Sequence, residues 1–294
     1  MKATESKTTS RYINLLNDWG FKYIFGKKEN LIHFLNEIFQ GKEKITDIAY
    51  LPTEQLGKTE KERIAIFDVY CRNNRGEFIL LEMQNMPQLH FYERSLLYST
   101  FLIRNQAVKG EWNYELKSVY VIGILNFIPS EVAVDDKQYV DRVSLFNERT
   151  KKKFSDILNF IYIVLPKFNK KQEELNSQLD DWLYILRHSK QMAIQPETIR
   201  GKLFDELFKE MEIKRLTPKN MKLHGRSELK YEDASLFTDY AEMKGREKGM
   251  LEGEKRGILE GKRNISKNLL EMGMSISDIS RATGLTPQQI QQLN

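Results

Sequence analysis

The chain predicts an α/β (α+β) fold, a central mixed sheet flanked by helices and followed by a helical C-terminal extension. Three observations carry this. Apolar residues in "RYINLLNDWGFKYIFGKKENLIHFLNEIFQG" recur at helical spacing. The period then switches to that of strands in "ITDIAYL", "RIAIFDVYC" and "EFILLEMQ". A long helical stretch, "LHFYERSLLYSTFLIRNQAVKG", separates these runs from the β-branched "LKSVYVIGILNF".

Taken in order, the opening segment reads as one or two helices stopped at Gly41. The three runs that follow are short, rich in Ile, Val, Phe and Tyr, and divided by turn residues, as successive strands are. The next helix has no proline after Pro87 and should stop at Gly110. "FSDILNFIYIVLPKF" adds a strand ending at Pro166. From about 170 to 240 the pattern is helical, clearest in "QLDDWLYILRHS" and "ETIRGKLFDELFKEME". The expected organisation is an α/β core at 1–170, a helical extension at 171–240, a charged glycine-repeat helix or linker at 241–263 and a small tail at 264–294.

Composition narrows the class. With 294 residues, 40% hydrophobic, the chain can bury a sizeable core. Its single cysteine, Cys71, excludes a disulfide within the chain, and four scattered histidines give no zinc spacing. "MKATESKTTS" has no apolar signal core, and runs such as "FIYIVLP" are too short to span a bilayer, so a cytoplasmic protein with no membrane partner is expected. A net charge of +5 suits a polyanionic partner.

The informative stretch is "FDVYCRNNRGEFILLEMQ", residues 67–84, where carboxylates interrupt a hydrophobic hairpin. Side chains alternate along a strand, so Asp68 and Tyr70 share one face of the first arm, and Leu80, Glu82 and Gln84 share one face of the second. A three-residue loop at 74–76, closed by Gly76 in the left-handed conformation, sets Asp68 directly opposite Glu82; a two-residue loop would set it opposite Leu81. Glycine at the third loop position favours the first register. Facing carboxylates repel, and desolvation raises the cost. A divalent cation offsets it, since Mg²⁺ takes oxygen ligands and binds through one or two carboxylates plus substrate phosphates. Such a site points to metal-assisted hydrolysis.

Asp68, followed by Glu82-Met83-Gln84 at the end of the next strand, resembles the PD-(D/E)XK nuclease motif with Gln in place of the usual Lys. With "NDWGFKYIFG", "YERSLLYSTFLIRNQAVKGEWNYELKSVYVIGILNF" and the glycine-repeat tail, the chain is similar to the Rpn-type recombination-promoting nucleases, also described as transposases, over roughly residues 10–260. The resemblance implies a restriction-endonuclease-like core. It also implies a Mg²⁺-dependent DNA endonuclease, with Mn²⁺ as substitute, acting in recombination, element mobility or defence. Asp68 and Glu82 would bind the metal, with the backbone carbonyl of Met83 as third ligand. Gln84 would orient the attacking water or a phosphate oxygen but cannot supply positive charge. Asp18 matches the acid that many members place on the opening helix to complete the metal site; on the residues alone it is as well read as the N-cap of that helix. Glu54 is a further nearby acid.

Arg94 and Tyr98 fall four apart on the following helix, hence on one face. Facing the sheet they would contact the scissile phosphate; otherwise they are a surface cation and a core tyrosine. Lys22, and less so Arg104, are further substrate-binding candidates, whereas Trp19, Phe21 and Phe25 read as core. The glycines at 245, 249, 253, 257 and 261 each cost a helix ~1 kcal/mol relative to alanine. They mark either a marginal linker or close helix packing in a homo-oligomer formed through the tail. "SISDISRATGLTPQQIQQ" is similar to a helix-turn-helix, with Ser277 and Thr286 as expected N-caps. Its charges nearly cancel, but glutamines 288, 289, 291 and 292 could read adenine edges. The competing function is a nuclease-fold DNA-binding or oligomerising protein that has lost catalysis.

Overall fold

Helical spacing in the opening segment resolves into α1 (Asp18–Phe25) and α2 (Lys28–Phe39) in a computed structural model that describes residues 10–41, 44–55, 65–87, 90–107, 113–129 and 137–293. Gly41, at φ +70°, follows α2 as expected. The chain then lays down β1 (Ile48–Tyr50), β2 (Glu54–Gln55), β3 (Ala65–Ile66), β4 (Val69–Asn73) and β5 (Phe78–Gln84). After α3 (Phe91–Arg104) come β6 (Val119–Leu125), β7 (Val140–Ser144) and β8 (Leu158–Val164).

Six of these strands form one mixed sheet in the order β1-β4-β5-β6-β8-β7, and β2 pairs with β3 separately. At its centre β5, β6 and β8 are parallel; β1, β4 and β7 add antiparallel edges. β6 and β8 are apolar almost throughout because both their faces are covered. One face packs α1, α2, α4 (Gln178–His188) and α5 (Lys202–Met211) over Val69, Leu81, Ile122, Ile124 and Ile161. Trp182 sits fully buried in this layer and donates its indole N–H to His33 Nδ1 at 2.9 Å. The other face takes α3, whose Phe91, Phe101 and Leu102 meet Leu80, Val121 and Tyr162.

Four local expectations need correction. α3 ends at Arg104 with Asn105 as its C-cap, and the expected stop at Gly110 lies outside the described residues. β7, "VDRVS", was not expected: it is a half-exposed edge strand, so charges occupy its solvent positions and erase the apolar run. "RIAIFDVYC" does not run as one strand but breaks between Ile66 and Val69. The N-cap of α7 (Ile276–Thr283) is Ser275, which accepts from Asp278 N, and not Ser277. Thr286 caps α8 (Pro287–Gln291) as expected.

Compactness divides the chain into residues 1–232 and 233–294. In the first unit the beginning of α6 (Pro218–Glu271) is tied to α1: Asn17 Nδ2 donates to Glu228 at 2.8 Å and Trp19 N to Ser227 Oγ at 3.1 Å. In the second, Ile279, Leu285 and Ile290 pack with Leu259, Leu269 and Leu270 of α6 into a small core. The glycines at 245, 249, 253, 257 and 261 lie within α6, and a Cβ on any of them would meet nothing within 4 Å, so packing inside the described chain does not require them. No helix among the described residues is long and apolar enough to cross a membrane.

Gly123 of β6 is the residue that lets α3 lie close to the sheet. A Cβ there would come within 3.0 Å of the Phe91 ring and 3.1 Å of Tyr162. Gly123→Ala is therefore expected to lift the first turn of α3 and to cost ~1–3 kcal/mol in chemical denaturation. An unchanged midpoint would show that this packing is slack.

Candidate active site

The hairpin register decides what meets at the end of β5. Gly76 adopts φ +81° and its N–H returns to Asn73 O at 3.0 Å, which closes the three-residue loop. β4 and β5 accordingly pair Val69 with Leu81 and Tyr70 with Leu80, the register that brings Asp68 to Glu82. The ladder stops there because the chain bends at Asp68, where Phe67 N–H turns away to Thr53 O at 2.9 Å. Asp68 takes over the missing rungs. Its Oδ2 accepts the Met83 N–H at 2.9 Å, and its own N–H donates to Glu82 Oε1 at 3.1 Å. A residue's N–H and C=O point to the same strand edge, so the Met83 carbonyl faces the gap that Asp68 occupies.

Glu82 is only 6% exposed. Burial, followed by the charge of Asp68, pushes its carboxyl up to about 8, against opposing pulls from the Asp68 N–H, Arg94 and Lys22. Asp68 is also raised, chiefly by burial, although the Met83 N–H and Lys22 act to lower it. The pair is thus under-compensated. Gln84, also buried, donates Nε2 to Glu82 Oε2 at 3.2 Å.

Helices approach the pair from both faces of the sheet. From α3, Arg94 donates to Tyr98 Oη at 3.0 Å, and the Tyr98 ring meets Phe67 edge-on at 5.2 Å. Arg94 and Tyr98 therefore face the sheet, one of the two placements open from the sequence. From α1, Lys22 Nζ lies 3.1 Å from Asp68 Oδ1 and 2.6 Å from Asp18 Oδ1. Asp18 joins the site through Lys22, and it does not cap its helix; Asn17 does, accepting Gly20 N at 2.6 Å. Glu54 is exposed on β2, opposite Ile66, and the contacts described for Asp68 and Glu82 do not include it. Arg104 sits over the Phe101 ring at 5.0 Å, in the last turn of α3.

Sequence reading passed over Asn85. Its Nδ2 donates to Leu16 O just before α1, and its Oδ1 is buried without a hydrogen-bond partner among the described residues. The only signal was a polar residue directly after the Glu82-Met83-Gln84 run.

Among the described residues no three His, Cys, Asp or Glu side chains converge into a cation cage. What the gap offers is two carboxylates and a carbonyl, hard oxygen donors that leave positions for water or phosphate oxygen. That set fits a Mg²⁺-like ion better than a fully protein-ligated one.

The structure is thus a mixed sheet with an acidic pair at the open end of its β4–β5 hairpin. Residues 15–241 match the PD-(D/E)XK nuclease family transposase family, and the chain belongs to it. Residues 259–294 match the C-terminal HTH domain of the Rpn/YhgA-like nuclease family. No curated protein and no solved structure gave a match.

The raised Glu82 carboxyl has a stability signature. Its ordinary value is 4.5, so its contribution is fully present below that pH and is lost as the pH rises through about 8. In chelator, thermal stability should therefore decline from pH 5 to pH 9, and Glu82→Gln should flatten that decline, as read by thermal denaturation. An identical decline in the variant would mean that Glu82 ionises without penalty.

Proposed function

We propose that the protein is a divalent-metal-dependent DNA endonuclease in which Asp68 and Glu82 hold Mg²⁺, with the Met83 carbonyl as third ligand and Mn²⁺ as a working substitute. The observation that carries this reading is the under-compensated carboxylate pair, Glu82 buried and Asp68 partly buried, where the β4–β5 ladder opens. Bound there, the ion would supply an activated water and offset charge developing on the scissile phosphate. Gln84, fixed at 3.2 Å from Glu82, orients the water or a phosphate oxygen through its amide. Arg94, held by Tyr98, offers guanidinium donors to the phosphate from α3.

DNA as substrate is supported by the HTH match and by a net charge of +5. The reaction proposed is hydrolysis, serving recombination, element mobility or defence. Cys71, buried and free, suits a reducing cytoplasm. Self-association through the tail is supported by the exposed Leu236, Met243, Met250, Leu251, Ile258 and Ile265 on α6, which recur at spacings near seven and so form one helical stripe.

The test is supercoiled plasmid with Mg²⁺ or with EDTA. Metal-dependent nicking or linearisation is expected with Mg²⁺ and none with EDTA. Asp68→Ala and Glu82→Ala should each lower it at least about 100-fold with the fold retained by circular dichroism. Cleavage that survives in Glu82→Ala contradicts the assignment, and DNA binding without cleavage in Mg²⁺ and Mn²⁺ selects the non-catalytic alternative.

A further inference from the structure

Gln84 holds the motif's lysine position and carries no charge, yet a cation already lies against Asp68, the other acid of the pair. Lys22 spans Asp18 and Asp68 at 2.6 and 3.1 Å, and its side chain is 38% exposed where that of Asp68 is 18% exposed. The fold fixes where this lysine starts. Asn17 caps α1; Gly20 packs so tightly that a Cβ would fall 2.1 Å from Asn14 O; and Asn85, next to Gln84, binds the Leu16 carbonyl just before the helix. The end of β5 and the start of α1 are thus held together, and Lys22 projects one turn further along.

The two cations, lysine and metal, compete for one carboxylate. A divalent ion on Asp68 would sit roughly 2 Å from its oxygens, which places it within a few ångströms of the ammonium, where like charges repel strongly in a partly desolvated site. The lysine's four-carbon stem allows its ammonium to move while α1 stays still. Asp18, with a side chain 69% exposed, lies on the solvent side of Lys22 and can retain it at the rim.

We propose that Lys22 alternates between two positions: counter-ion of Asp68 in the metal-free protein, and phosphate ligand once a divalent ion has displaced it, where it supplies the positive charge that Gln84 lacks. This rests on the metal reading of Asp68 and Glu82. It makes metal entry an exchange of one cation for another. It also gives Asp18 a role that needs no direct metal contact, as the residue that keeps the displaced lysine beside the substrate.

The experiment is calorimetric titration of Mn²⁺ into the full chain without DNA, for wild type, Lys22→Met and Lys22→Arg, with circular dichroism as the check on folding. Lys22→Met should bind Mn²⁺ about tenfold more tightly than wild type because the competitor is gone. Lys22→Arg, which keeps the charge, should bind no more tightly than wild type and guards against a folding artefact in the first variant. Plasmid cleavage at saturating metal should move the opposite way, falling on the order of 100-fold in Lys22→Met and recovering in part in Lys22→Arg. Unchanged or weaker Mn²⁺ affinity in Lys22→Met, or unchanged cleavage at saturation, overturns the proposal while leaving the metal site standing. Absence of Mn²⁺ binding in wild type removes the metal reading and this inference together.

Discussion

Two carboxylates, Glu82 buried and Asp68 partly buried, meet where a β-hairpin comes apart, and the surrounding structure is arranged around the cost of keeping them there. Glu82 lies inside the layer between the sheet and α3, and Asp68 stands at the bend where β4 begins. A purely structural solution would pair each acid with an arginine or replace both with apolar groups, which is often neutral or stabilising. Neither has happened. Glu82 receives one backbone N–H and one amide N–H, Asp68 one backbone N–H and one shared lysine. The residual electrostatic deficit is what the proposed metal ion, bringing its own positive charge, would offset.

The rest of the fold gives that deficit its geometry. The parallel strands β5, β6 and β8 carry the chain to one end of the sheet, so Glu82 and Gln84 sit at the carboxyl end of a central strand. That end is where open α/β sheets place their ligands. Gly123, the neighbour of Glu82 on β6, admits Phe91 and so seats α3 with Arg94 turned toward the pair. α1 comes from the opposite layer, clamped between Asn85 and the start of α6, and delivers Lys22. Two cations from two layers thus bracket the acids without cancelling them.

What could be read in advance depended on the range of the interaction. Strand alternation and a glycine at the third loop position are local, so they sufficed to set Asp68 against Glu82 and to place Gln84 on the same face. The helical spacing of Arg94 and Tyr98 gave their common face but not its direction, which depends on how closely α3 packs on β6. Whether Asp18 touches the site was not legible, because the answer runs through Lys22 and through packing of α1 by residues distant in sequence. β7 escaped notice because an edge strand need not be apolar, and the α3 terminus because Asn105 ends the helix before the glycine that looked like its stop. The tail's HTH character was readable from turn glycines and caps, since such short helices are punctuated by local rules.

The central claim is that Asp68 and Glu82 are ligands of one divalent ion, and diffraction from crystals soaked in Mn²⁺ tests it most directly. An anomalous peak roughly 2.1–2.3 Å from carboxylate oxygens of both residues, with Lys22 withdrawn from Asp68, is the predicted result. A map with no peak between them, and Lys22 still paired with Asp68 at saturating Mn²⁺, would contradict the account.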